Sequence, residues 1–541
     1  MRTTAYLSFR NQHTLLSIFL IAALIQSSAF GGSATVTIDP ASIVHTNAPL
    51  LLGTSLDARS SFTVAGIPVG YYNPIDGSPL DNTAGSGVTW MWETRIPHTA
   101  IRYPQGPVNI WDWKATVGPV SSRAPQVLAG NQVAAFGLDE AMSMAARTGI
   151  APQNIHFMVN IYGPFNVPNL AVAIQDAADL VEYLNLPAGQ GYYWADQRSA
   201  NGHPQPYGIE LFNLGNEPWA QSEYDFLTTG ASDPNQDGAL RYSSDAGMFI
   251  AAMKAIDPAI KITLSATSPR NKPDAASKAR LWNQTLLQQL GNSVHGLVTN
   301  LYYDSESPEV TQRGVASMKA FLDVLSSDIQ GFNAANGADV QLLIGEHGHS
   351  IDIDYTKVPP VVTNADFAMQ WHGAVATTDF LMMLSNRNDI ERAHHFIWGN
   401  CAATWHPIRL NGDGTYTFLP VPRIYESLTN HVLQNAISAV TTSPAGSDGH
   451  LYSVGAGAFA STDGSTIGVV IVNRDPGTDH TVDVSGTRGY KVNSASILTA
   501  ASPDAEIVTE TTLSLRSLNG VSLPHSSIIL LQLKPAKKKK G

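Results

Sequence analysis

The sequence predicts an α/β protein, a (β/α)8 TIM barrel with a C-terminal all-β sandwich domain, on three observations. Between about residues 50 and 400, eight short apolar runs alternate with amphipathic stretches of helical period. Repeated strand–helix units demand a parallel sheet, and eight of them close into a barrel. After about Tyr416 the texture changes to short alternating strands separated by Asp463-Gly464, Asp475-Pro-Gly477 and Asn519-Gly520, the pattern of an antiparallel sandwich.

The chain begins with a stretch that reads as an export signal over residues 1–29. Arg2 and Arg10 supply the basic region, Leu15 to Ile25 an apolar run of eleven residues, and Ser27-Ser-Ala29 a cleavage site. The expected location is therefore periplasmic or extracellular. The run is too short for a membrane span, so no stable membrane partner is expected. Ala34 to Asp39 alternates like an edge strand, and residues 30–49 are assigned to the sandwich.

The barrel is expected over 50–415. Its first strand is Leu50 to Leu56, ending in Asp57-Ala-Arg59, and a long Gly/Pro/Tyr-rich loop to about Pro97 is expected to shape a site. The following strands are Thr99–Tyr103, Ile155–Asn160, Gly208–Leu214, Ile260–Ser265, Gly296–Tyr302, Val340–Ile344 and His394–Trp398. Helices are expected near 138–148, 171–184, 243–256, 275–290, 314–334 and 365–385. The sandwich resumes over 416–536, and 537–541 form a basic tail.

With 541 residues, 43% hydrophobic and 14% charged, the chain can bury one large core and a smaller one. A net charge of −12 gives no basis for nucleic-acid binding. The basic run Lys537 to Lys540 reads as a solvated tail. The single cysteine, Cys401, rules out an internal disulfide and reads as a packed residue rather than a nucleophile.

Chemistry is expected at the C-terminal ends of the strands. The fourth ends in Asn216-Glu217-Pro218 and the seventh in Gly345-Glu346, about 130 residues later. Strands four and seven face each other across a barrel mouth, so the two carboxylates can converge. Glycosidic bonds need such a pair, one carboxyl to protonate the leaving oxygen and one to attack or to activate water. A strand-end glutamate taken singly is more often a solvated rim residue; the pairing, and a glycine one or two residues before each, argue for a site. Asn216 is placed to hydrogen-bond a sugar hydroxyl.

His347 and His349 flank the second glutamate and are expected to line the site, touching substrate or nucleophile. His394-His395 read as core. A histidine–carboxylate metal centre is the weaker reading, because adjacent strand residues point to opposite faces and no His-Glu-x-x-His spacing occurs. No metal and no cofactor are therefore expected. Trp111, Trp113, Trp219, Trp398 and Trp405 lie near strand ends, where indole faces could stack on sugar rings.

At these residues the chain resembles the α-L-arabinofuranosidases of glycoside hydrolase family 51. Ile101-Arg-Tyr-Pro-Gln-Gly106, Trp113 and Val117 to Pro125 are similar to the family's Arg-x-Pro-Gly-Gly segment and its continuation. Phe136 to Glu140, Met253 to Pro258, Leu498 to Ala500 and Leu523 to Ser526 are similar to further family segments. The resemblance implies that Glu217 is the acid/base, Glu346 the nucleophile, Arg102 and Asn216 contacts to substrate or nucleophile, and Tyr302 the residue that orients the nucleophile. The chain departs from the pattern in its sugar-recognition shell. Asp57 stands where the family has glutamate, Pro104-Gln-Gly-Pro107 is one residue short and leaves Asn109 as the replacement contact, and Asn300 stands where histidine usually precedes the tyrosine.

The expectation is thus a retaining glycoside hydrolase, an α-L-arabinofuranosidase acting on plant polysaccharides or oligosaccharides, with Asp57, Arg102, Asn109, Asn216, Asn300, Tyr302, His347 and Trp398 around the sugar. An endo-β-glucanase or a heparanase-like β-glucuronidase would use the same two glutamates, and a non-catalytic carbohydrate-binding protein is the rival from another class. Carbohydrate is the one partner implied, and homo-oligomerisation stays open.

Overall fold

The computed structural model describes residues 32–105, 108–126, 131–162, 169–219, 234–267, 273–304, 314–351, 353–354, 361–362, 367–399, 405–446 and 451–536. The export signal, Cys401 and the lysine tail lie outside the described residues.

Eight strands form a closed parallel barrel: Gly53–Asp57, Ile101–Gln105, Ile155–Val159, Leu211–Leu214, Lys261–Ser265, Gly296–Tyr303, Gln341–His349 and Ile390–Trp398, here strands one to eight. Each lies parallel to the next, and the eighth pairs back onto the first. Every residue of strands one to four is buried. Such strands are covered by side chains within and helices without, which is why they read as unbroken apolar runs.

The enclosing helices are Leu138–Arg147, Leu170–Asn185, Pro234–Ile256, Pro273–Leu290, Val315–Asn336 and Trp371–Ser385. The last is buried nearly all round, because the barrel lies on one side and a β-sheet on the other. Its Asp379 pairs there with Arg474 of the sheet region at 3.0 Å, both side chains 2% exposed, and Tyr452 donates to the same carboxylate at 2.8 Å.

Three of the described helices escape the sequence pattern, one of them Tyr193–Ala200, in the connection before strand four. Val88–Arg95 lies inside the stretch read as a loop and carries Trp92 into the core. Pro420–Leu428 lies inside the stretch read as all strand. Its Pro420-Val-Pro422 start looks like a break, yet proline is tolerated in a first turn, where the missing N–H has no partner to lose.

Nine further strands form one sheet, whose first strand after residue 416 begins at Asn435; Thr63–Val64 with Ile67–Pro68, Ile353–Asp354 with Val361–Val362, and Ile408–Leu410 with Tyr416–Phe418 form separate two-stranded ribbons. Ser33–Thr46 is not an edge strand as its alternation suggested. It is interior, antiparallel to Asn435–Thr442 and parallel to His480–Ser485. One sheet face, with Phe459, Val470, Val472, Ile528 and Leu530, joins the barrel core; the other buries Val36, Ile38, Val469, Ile471, Val482, Leu523 and Leu531 in a core of its own. That second core draws only on strands of this sheet and its loops, so the sheet must curl over itself, as a sandwich does.

Candidate active site

The polar residues at the strand ends converge. Arg102 of strand two is 1% exposed, too costly for an isolated charge, so the fold surrounds it with acceptors. Its Nη1 donates to Glu346 Oε1 at 2.9 Å and to Gln105 Oε1 at 3.0 Å, and its Nη2 donates to Asn216 Oδ1 at 3.1 Å. Glu346, 3% exposed, also accepts from Gln105 Nε2 and from the Tyr302 hydroxyl at 2.6 Å. Glu217 is half-buried, and its Oε1 accepts from Asn300 Nδ2 at 2.9 Å.

Local geometry explains how four strands meet so tightly. A Cβ on Gly345 would lie 2.4 Å from Val298 Cγ1, 2.9 Å from Asn300 Oδ1 and 3.2 Å from Arg102 Cζ, so only glycine fits directly before Glu346. At strand four, Gly215 has φ +73° and a Cβ there would meet Ile161 at 2.7 Å. Glu217 itself has φ +48°, a left-handed conformation that costs a residue with a Cβ about 1–2 kcal/mol. Such strain persists where the surroundings hold it, and here the hydrogen bond from Asn300 does.

Electrostatics set the two carboxyls apart. Burial pushes the Glu346 carboxyl above its ordinary value, the Arg102 charge pulls it back, and the charge of Glu217 pushes it up again. Three donors nevertheless hold Glu346 in place: a guanidinium, an amide and a phenol. Glu217, with one amide donor and an open face, is the carboxyl that solvent can reach.

Arg102, Asn216, Tyr302 and Glu346 thus form one hydrogen-bonded network, and the pair Glu217–Asn300 stands beside it, near enough for the Glu217 charge to act on Glu346. Three expected contacts lie elsewhere. Asp57 ends strand one, but its carboxylate is fully buried and is taken up by Arg59, from Nη2 at 2.7 Å and Nε at 3.0 Å, because the chain turns back at once and folds Arg59 over it. His347 points away from Glu346, as strand alternation requires; its Nδ1 meets the Tyr303 hydroxyl at 3.0 Å and its ring packs on Phe380. Trp398 is 0% exposed, packed against Trp92 and Tyr425 with its indole N–H on His395, so it has no face for a sugar. The side chain of Asn109 lies outside the described residues.

Gln105 and Phe396 stand at the site without having been assigned to it, and Trp405, one of the tryptophans expected near strand ends, stands with them. Gln105 lay within a quoted motif, and strand alternation gives no warning of it. Trp405 and Phe396 are half-buried, with rings 5.4 and 5.9 Å from that of Tyr302. They form an aromatic wall beside Glu346. Of the other tryptophans expected there, Trp111, Trp113 and Trp219 are core.

A closed barrel carrying paired strand-end glutamates, with an attached β-sheet, is an architecture that (β/α)8-barrel glycoside hydrolases share, and that is the class this chain resembles. Residues 94–301 match the α-L-arabinofuranosidase 1 domain. An exo-α-(1→6)-L-arabinofuranosidase of Bifidobacterium longum is 31% identical over 241 residues, 43% of this chain and 40% of that one. An intracellular exo-α-(1→5)-L-arabinofuranosidase of Streptomyces lividans is 26% identical over 302 residues, 54% of this chain and 40% of that one. The chain thus spans 40% of the length of these two curated relatives. A family 51 α-L-arabinofuranosidase structure from Bifidobacterium longum superposes with a TM-score of 0.71 at 19% identity, over 93% of this chain and all of that one, and so shares its fold. Within the class, the chain resembles family 51.

Proposed function

We propose that this protein is a retaining glycoside hydrolase that releases L-arabinofuranose from arabinose-bearing plant polysaccharides or oligosaccharides. The observation that carries the reading is the inequality of the two glutamates. Glu346 is buried and held by three donors, as a nucleophile must be when it attacks along one line. Glu217 is half-buried and reachable by a leaving group or a water.

In the first step Glu346 attacks the anomeric carbon while Glu217 gives its proton to the departing glycosidic oxygen. In the second, Glu217 takes a proton from water, which displaces Glu346 and restores the starting configuration. Arg102 and Tyr302 orient the nucleophile, Asn216 and Asn300 bind sugar hydroxyls or hold the acid/base, and the wall of Tyr302, Phe396 and Trp405 stacks on the sugar or its aglycone. The relatives' names support arabinofuranose as the sugar.

Two measurements test this. Proton NMR of the first-formed sugar should show retention; an inverted product overturns the mechanism. Nitrophenyl arabinofuranoside should be hydrolysed in preference to soluble glucans, xylans and glucuronides; the reverse order points to an endo-glucanase or glucuronidase, and sugar binding without turnover points to a non-catalytic binder.

Export is part of the proposal. The basic, apolar and small-residue segments of Met1 to Ala29 support it, whereas the Streptomyces relative is named as intracellular. Cell fractionation with N-terminal sequencing decides: cleavage near Ala29 is expected, and an intact cytoplasmic chain would contradict it.

A further inference from the structure

Behind the aromatic wall, three side chains from different elements meet: Asp304, directly after strand six, His349, at the end of strand seven, and His372, in the first turn of the helix Trp371–Ser385. One ligand atom from each lies within 4.8 Å of the others. His349 Nε2 is 3.3 Å and His372 Nε2 3.7 Å from Asp304 Oδ1. Charge-assisted hydrogen bonds are shorter, about 2.7–2.9 Å. A tetrahedral zinc ion with bonds of about 2.1 Å sets its ligands about 3.4 Å apart, close to the two distances from the histidines to Asp304.

The tautomer of His349 supports the same reading. Its Nδ1 lies 2.6 Å from the Ser350 carbonyl oxygen, which can only accept, so Nδ1 carries a proton. Nε2 is then the ring nitrogen turned toward Asp304 Oδ1, 3.3 Å away. A metal-bound histidine has this arrangement, with its second nitrogen donating to a carbonyl.

We infer that Asp304, His349 and His372 bind a divalent transition metal ion, most readily zinc, at a structural site distinct from the glutamate pair. Two imidazoles and a carboxylate suit zinc, and a water can fill the fourth position. The histidines are 2% and 7% exposed, and the carboxylate at 21% keeps a way in for the ion. The ion ties the ends of strands six and seven to a helix that is itself pinned to the sheet region, His372 N to Pro503 O at 2.9 Å and Trp371 Nε1 to Ser526 O at 2.9 Å. It also sits beneath the wall, since Trp405 Nε1 donates to His349 O at 2.7 Å.

The test uses the full chain with any affinity tag removed. After dialysis against trace zinc, the wild type should retain about one zinc per chain by elemental analysis, and cobalt in its place should show the visible bands of a four-coordinate ion. His372→Ala and Asp304→Asn should each weaken zinc binding at least about 100-fold, and zinc should raise the melting temperature of the wild type but not of the variants. The wild-type measurement stands even if a variant fails to fold. A wild type that retains no zinc, or equal zinc in the variants, would overturn the proposal.

Discussion

Arg102 Nη1 lies 2.9 Å from Glu346 Oε1, joining two buried side chains 244 residues apart in sequence. Burying both charges is unfavourable unless each finds further partners, and each does: Arg102 in Asn216 and Gln105, Glu346 in Tyr302 and Gln105. The pair locks strand two to strand seven and fixes the site.

Removing one member leaves the other charge stranded. Arg102→Met should destabilise the fold by about 3–5 kcal/mol, read from urea denaturation. The double variant with Glu346→Gln should lose less than the sum of the two single changes, because neither charge then remains. Strict additivity would mean that the pair does not couple.

Tyr302→Phe removes a donor to the charged form of Glu346. A hydrogen bond to a charged group contributes about 1.5–3 kcal/mol, so the Glu346 carboxyl should titrate about 1–2 pH units higher. Since burial already lifts it above an ordinary glutamate, the wild-type acid limb of kcat/KM should lie above pH 4.5 and that of the variant higher still. A profile that does not move would remove Tyr302 from the nucleophile's surroundings.

Gly345→Ala places a methyl against Val298, Asn300 and Arg102 at once. Overpacking of this kind costs about 1–3 kcal/mol. Because Asn300 holds Glu217 and Arg102 holds Glu346, kcat should fall by about 100-fold even in the folded fraction. Thermal melts and kinetics on the purified variant check both numbers.

The sequence foretold the eight strands and six of the helices because burial on both strand faces leaves apolar runs and burial on one helix face leaves a stripe. It singled out the two glutamates because polar residues ending such runs stand out. What it could not convey was side-chain direction at the strand ends. His347 follows Glu346 and Trp398 ends strand eight, and both looked like site residues until the pleat turned them outward. Asp57 was lost for another reason: its partner Arg59, two residues on, satisfies it locally. His372 carried no signal, since its neighbours in space come from two other strands' ends.

Burial holds His394 and His395 down to about 3, and His98 to about 4, from an ordinary 6.5. All three are neutral in the fold, while the unfolded chain charges them below about pH 6.5. Their stabilising contribution is therefore complete above pH 6.5 and is lost as pH falls toward 3. Each should cost about 2 kcal/mol between pH 7 and pH 5, lowering the urea midpoint. His395→Gln, which keeps an acceptor for the Trp398 N–H, should flatten that dependence. A midpoint independent of pH would contradict the assignment.

The central claim is that Glu346 forms a covalent bond to the sugar and Glu217 serves it as acid/base. Glu217→Ala, given a nitrophenyl arabinofuranoside whose leaving group departs without a proton, should accumulate a glycosyl-enzyme. Mass spectrometry of the trapped chain should then show one added pentosyl unit, on the peptide containing Glu346. A pentosyl unit on any other residue, or no adduct in a variant that still releases nitrophenol in a burst, would contradict the account.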